Sequence, residues 1–157
     1  MGRMSEMNIE GKPNPDGIVG QVARIRELSN LLIEGELEAR QIQGLQPAHG
    51  SVLAFLFRQA QPVPIKEVVE HVGRVKSTVT GMINTLEKHG YVRKTPSQED
   101  ARVIFVELTK KGLALKPDFD EISNILLEKL YGKIPRRDRE RLAEGLAQIC
   151  QNLEDDA

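Results

Sequence analysis

Cysteine is nearly absent from this 157-residue chain: Cys150 stands alone. No intrachain disulfide can form, and no Cys-x-x-Cys metal or redox motif exists. No apolar run approaches the roughly 20 residues that a bilayer-crossing helix requires, and no opening segment has the basic-then-apolar order of a secretion signal. A reducing, cytoplasmic setting without membrane insertion is expected. The three histidines, His49, His71 and His89, are scattered without the spacing that a zinc site favours. There is no glycine loop suited to cradling phosphate and no nucleophile motif, and although Glu70 and His71 are neighbours, consecutive helical residues point apart. No catalytic residue, metal or cofactor is assigned, and an enzyme is not expected.

What is present bounds the rest. With 39% apolar residues over 157 positions, the chain can bury one good core, or one domain plus an oligomerisation element. The net charge of −1 argues against a general nucleic-acid coat protein, but the charge is unevenly spread. Between Ile65 and Gly112, Lys66, Arg74, Lys76, Lys88, Arg93, Lys94, Arg102, Lys110 and Lys111 oppose Glu67, Glu70, Glu87, Glu99, Asp100 and Glu107. That segment is net +3 and the remainder net −4, so basic charge collects in one stretch.

The same stretch carries the clearest order of elements. Residues 1–16 hold Gly, Pro and Asn without an apolar period and are expected to form a flexible tail. Ile18, Val22, Ile25 and Leu32 then mark a long helix reaching about Gln41, which Gly44 is expected to stop. Pro47 suits the first turn of a second helix, apolar on most sides through Val52, Leu53, Phe55, Leu56 and Phe57. Gln61–Pro64 breaks the chain before a short helix over Ile65–Val72, and Gly73 allows a tight turn. From Ser77 to Lys88, Val79, Met82, Ile83 and Leu86 cluster on one face, and Ser77, Gly81, Asn84 and Lys88 on the other. Tyr91–Thr95 and Val103–Leu108 have strand composition around a polar tip at Pro96–Arg102. Thr109 is a natural cap for a helix through Leu130. Gly132 and Pro135 precede a last helix on which Leu142, Leu146, Ile149 and Leu153 form a narrow seam, with Cys150 expected among the packing residues.

Two short helices joined by a glycine turn, followed by two strands around a charged loop, is the order of a winged helix-turn-helix. The fold expected is mainly α with a small β-hairpin wing. A solvated polar face is the ordinary fate of the outer side of Ser77–Lys88. Here, however, that side is short and hydroxyl- or amide-bearing rather than rich in Glu and Lys, and a basic hairpin comes directly after it. Small polar side chains let a helix lie close to base edges, and asparagine can pair bidentately with adenine. Lys76, Ser77, Thr78, Thr80, Asn84 and Lys88 are therefore the candidate groove-facing set. Arg93 and Lys94 would hold phosphates and Arg102 would enter the minor groove, with Asp100 orienting an arginine. Gly81 lowers helix stability by roughly 1 kcal/mol relative to Ala, which either permits close backbone approach to DNA or is simply tolerated. The rival from another class is a winged module that works through protein contacts, basic only by chance.

Ser77–Val92 (STVTGMINTLEKHGYV), the Asp-x-Arg of Asp100–Arg102 and the Val106–Gly112 closure (VELTKKG) together resemble the MarR family of bacterial transcription regulators, with weaker similarity at Leu45–Leu56. The resemblance covers roughly residues 17–155. It implies a homodimer whose first and last helices, within residues 17–44 and 113–155, intertwine. Residues 45–112 would then be the winged reader of double-stranded DNA carrying a pseudo-palindromic operator. It also implies a small lipophilic or phenolic effector bound between the dimerisation helices and the reader, toward which His49 and Arg58 could reach, although capping or surface roles suit them better. Family members usually carry a long polar residue where Gly81 stands, and redox-sensing relatives place a reactive cysteine near the N-terminus, which this chain lacks. Arg74 and Val75 depart from the usual order at the helix turn and blur the start of the recognition helix.

Overall fold

Helical periodicity in the sequence becomes helices at nearly every expected place, and the departures each have a local cause. The computed structural model describes residues 11–155, in two compact units that meet in sequence at Ile122 and Ser123. The expected tail lies outside the described residues as far as residue 10. Its end is a 3-10 turn, Pro15–Gly17, in which the Asn14 side chain accepts from the Asp16 amide at 3.0 Å.

In the first unit, α1 spans Ile18–Ala39 and stops short of the expected boundary. The stop is Gln41 rather than Gly44. Gln41 sits in the left-handed region at φ 57°, the Gln41 amide donates to the Glu38 carbonyl, and the Ile42 amide reaches back to the Leu37 carbonyl, both at 2.9 Å. Those two bonds complete a Schellman closure. Gly44 serves a different purpose, since a Cβ there would lie 2.3 Å from the His89 ring.

Pro47 opens a 3-10 turn that runs into α2, Gly50–Phe57. The turn is tied by the His49 ring, whose Nδ1 accepts the Gln46 amide at 3.0 Å. Val52, Leu53, Phe55 and Leu56 are buried, so α2 is central as its composition requires. α3, Ile65–Val72, buries Val68 and closes at Gly73, whose φ of 66° suits a residue without a Cβ. α4 then spans Lys76–Lys88 with Val75 as its extended leading residue, which places the start of this helix. Val79, Met82, Ile83 and Leu86 are all buried, and at about 25 cal/mol per Å2 of apolar area they anchor the helix by several kcal/mol together.

The hairpin is a three-stranded sheet rather than a pair. β1 is Val63–Pro64, β2 is Val92–Pro96 and β3 is Ile104–Leu108, antiparallel in the order β1-β3-β2. Val106 lies opposite both Val63 and Lys94. The expectation that Gln61–Pro64 only breaks the chain is therefore corrected. A two-residue strand carries no alternation to detect, and proline is tolerated there because an edge strand need not donate on both sides. Val63, Val92 and Val106 join the buried face of α4 in one core.

Thr109 caps as expected, its Oγ1 accepting the Gly112 amide at 3.1 Å, but the helix it starts is short. α5 is Lys110–Ala114 and α6 is Lys116–Tyr131. Pro117 is the reason: it has no N–H to offer the Leu113 carbonyl and fits only a first turn. Arg40, at the end of α1, pairs with Glu36, Asp118 and Glu121 and so ties α1 to the start of α6.

The second unit begins within α6. Gly132 ends that helix, and α7 spans Arg136–Asp155. Arg139 fixes the turn, with Nε donating to the Ile134 carbonyl at 2.7 Å and the guanidinium 4.9 Å above the Tyr131 ring. No residue of α7 is buried within the chain, so the expectation that Cys150 packs among apolar neighbours is corrected: Cys150 is exposed. No helix among the described residues is long and apolar enough to cross a membrane.

Candidate nucleic-acid interface

α4 turns one side wholly into the core, and that fixes what its other side can present. Lys76, Ser77, Gly81, Asn84 and Lys88 are exposed, while Thr78 and Thr80, nearer the edges of the buried face, are half-buried. The outer face is thus built of small or flexible polar groups, as a helix approaching base edges needs. Lys111 steadies the end of the helix, its Nζ donating to the His89 carbonyl at 2.7 Å and lying 4.5 Å from the Tyr91 ring centre. Tyr91 is buried and its hydroxyl donates to the Gln43 carbonyl at 2.6 Å; burial pushes that phenol up from its ordinary pKa.

The wing tip is an ordered loop. The Ser97 amide donates to the Val103 carbonyl at 2.8 Å, and Ser97 Oγ accepts the amides of Glu99 and Asp100. Asp100 receives Arg102 three times, through the backbone amide at 3.0 Å, Nε at 3.1 Å and Nη2 at 3.2 Å. Those bonds hold the Asp100 carboxyl below the usual carboxylate range. Arg102 is nevertheless 91% exposed, so the pair aims the arginine outward.

The other two wing cations are also partnered. Arg93 lies across the sheet from Glu107 and donates to it at 2.6 Å. Lys94 turns inward to the recognition helix, where its Nζ donates to Asn84 Oδ1 at 2.6 Å and lies 3.4 Å from Glu87 Oε1. Its backbone amide donates to Glu87 Oε2 at 3.1 Å. Exposed pairs of this kind contribute about 1 kcal/mol or less, so a phosphate can replace the carboxylate of the most exposed ones. Lys76 and Lys88, at the two ends of α4, have no ion-pair partner among the described residues. Glu87 is the residue that sequence reasoning missed. It reads as a solvated helix charge, and only the return of β2 past the end of α4 shows what it holds.

The two residues considered for an effector are otherwise engaged. His49 is 3% exposed, with its Nδ1 taken by the turn it caps; burial, and then the neighbouring charge of His89, pull its pKa down. Arg58 Nη2 lies 3.0 Å from His71 Nε2, and the His71 ring stacks on Phe55 at 4.5 Å.

A helix-turn-helix whose second helix shows a short polar face beside a charged hairpin defines a winged helix-turn-helix protein. Residues 45–104 match the model of the MarR family. The HTH-type transcriptional regulator YfiV of Bacillus subtilis is 27% identical over 90 residues, covering 57% of this chain and 56% of that protein. The chain thus matches little more than half of that relative's length. Among solved structures, the Staphylococcus aureus MepR–DNA complex has a TM-score of 0.75 at 17% identity, covering 85% of this chain and 96% of that one. The PcaV transcriptional regulator of Streptomyces coelicolor, in complex with its natural ligand, has a TM-score of 0.74 at 16% identity, covering 83% and 89%. At such identities these two speak for the fold alone. Over residues 45–104 the chain is thus similar to the MarR family, and its fold is that of a winged helix-turn-helix.

Proposed function

We propose that this chain is a sequence-specific DNA-binding transcription regulator, a cytoplasmic repressor that binds a pseudo-palindromic operator as a homodimer. The observation that carries the reading is the exposed polar face of α4 set beside the wing, with Arg102 held outward by Asp100. In this reading Lys76, Ser77, Thr78, Thr80, Asn84 and Lys88 approach the major groove, Arg93 and Lys94 raise the positive potential at the wing root, and Arg102 enters the minor groove. The likeness to a MepR structure containing DNA supports it.

The homodimer rests on apolar surface that the chain leaves uncovered. On α1, Val19, Val22, Ile25, Leu28 and Leu31 are exposed; on α7, so are Leu142, Leu146, Ile149 and Leu153, at 37–71%. Stripes of that extent are rare on monomers, and a second copy supplies matching ones by two-fold symmetry. Relief of repression by a small lipophilic or phenolic acid is in keeping with the family resemblance.

Titrating operator and random duplexes across a salt series tests the reading. Binding should weaken steeply with salt, and Arg102→Ala should lower the slope by about one unit per subunit for the contact removed. A protein-interaction module would bind neither duplex appreciably at any salt concentration, and that result would sink the proposal.

A further inference from the structure

We propose that Lys94 sets what Asn84 can read, so that this position of the recognition helix selects guanine rather than adenine. The inference rests on the DNA-binding reading above and names the base class at one point of that interface. A free asparagine amide pairs with adenine by accepting from N6 through Oδ1 while donating from Nδ2 to N7. Asn84 is not free in that sense. Lys94 Nζ lies 2.6 Å from its Oδ1, and because an ammonium can only donate, the amide oxygen must face the lysine and the Nδ2 group must face away.

Two further contacts hold this arrangement in place. Glu87 Oε1 lies 3.4 Å from the same ammonium, and Glu87 Oε2 accepts the Lys94 backbone amide at 3.1 Å. One carboxylate therefore fixes both ends of Lys94 against α4, and Lys94 is only 26% exposed. What remains at the surface is a pair of adjacent donors, the Asn84 Nδ2 and the Lys94 ammonium. Guanine presents two adjacent acceptors in the major groove, O6 and N7, which match that pair. Adenine replaces one of them with an amino donor, which would face an ammonium. Lys94 thus acts as a positioning and specificity residue, and Glu87 as the residue that places it.

Selection of bound sequences from a randomised duplex pool, with the wild-type homodimer and with Lys94→Met and Asn84→Ala, tests this. The wild type should enrich a motif with one guanine per half-site whose replacement by adenine weakens binding about tenfold, the scale of a single discriminating base contact. Both variants should lose that preference at the same position and keep the others. Asn84 is exposed and outside the core, so its variant reports on the position even if Lys94→Met loosens the wing root. A motif whose preferences survive both substitutions, or a wild-type preference for adenine at the position that Asn84→Ala erases, would overturn the inference while leaving the DNA-binding reading intact. Failure of the wild type to enrich any sequence would overturn both.

Discussion

Replacing a glycine by alanine should have opposite effects at two positions of this reader, and the structure sets both signs. Gly112 is buried in α5, and a Cβ built on it would lie 2.1 Å from the Tyr91 carbonyl oxygen and 3.0 Å from Leu108 Cδ2. Carbon–oxygen contacts below 3.0 Å are essentially never seen, so something must move by about 0.9 Å. Tyr91 cannot yield cheaply. Its amide donates to the Leu86 carbonyl at 2.9 Å, its carbonyl accepts the Thr109 amide at 3.0 Å, and its hydroxyl is bound to Gln43. Overpacking costs about 1–3 kcal/mol, and leaving a buried polar group unpaired costs about 1–3 kcal/mol more. The helix gains back about 1 kcal/mol from alanine, so Gly112→Ala should destabilise by roughly 1–5 kcal/mol. Gly81 is the contrast: nothing lies within 4 Å of its built Cβ, and Gly81→Ala should stabilise by roughly 1 kcal/mol. Guanidinium unfolding at one fixed protein concentration reads both, the concentration mattering because a dimer's midpoint depends on it. If Gly112→Ala unfolded at the same midpoint as wild type, or if Gly81→Ala were the more damaging change, the packing argument would be wrong.

Ile83 is fully buried in the core, and Ile83→Ala should lower stability by about 2–5 kcal/mol, measured by the same unfolding curves; a change below about 1 kcal/mol would show that α4 is not anchored as described. For His49, the folded protein favours the neutral ring, so stability should be full above the ordinary histidine value of 6.5 and decline as pH falls below it toward the lowered folded-state value. His49→Gln should flatten that part of the curve relative to wild type, and identical slopes would remove His49 as the cause. The exposed seam on α7 gives the oligomer test: sedimentation at low micromolar concentration should find a dimer in the wild type and dissociation in Leu146→Glu, whereas a well-folded wild-type monomer would remove the case for intertwined helices.

The elements that position the reader could be read without coordinates because they obey local rules. Val79, Met82, Ile83 and Leu86 fall on one side of any helix drawn through them, Gly73 permits the turn before it, and Thr109 caps the helix after the hairpin. These depend on the 3.6-residue period and on backbone stereochemistry, which act over a few residues. Pro117 obeys the same local rules, and its missing N–H divides α5 from α6 where the apolar spacing alone suggests one continuous helix. Gln41 is harder to read, since a non-glycine residue in the left-handed region carries little composition signal. Beyond such local matters, tertiary structure decided. Val63–Pro64 is a strand only because Val106 lies opposite it; Cys150 is exposed because α7 buries none of its residues within the chain, whatever its apolar seam suggests. Lys94 lies seven residues from Glu87 and ten from Asn84, with a helix end and a turn between, so no single helical or strand period connects them. They meet because β2 returns past the end of α4, and a hydrogen bond depends on that distance in space, to which separation along the chain is no guide.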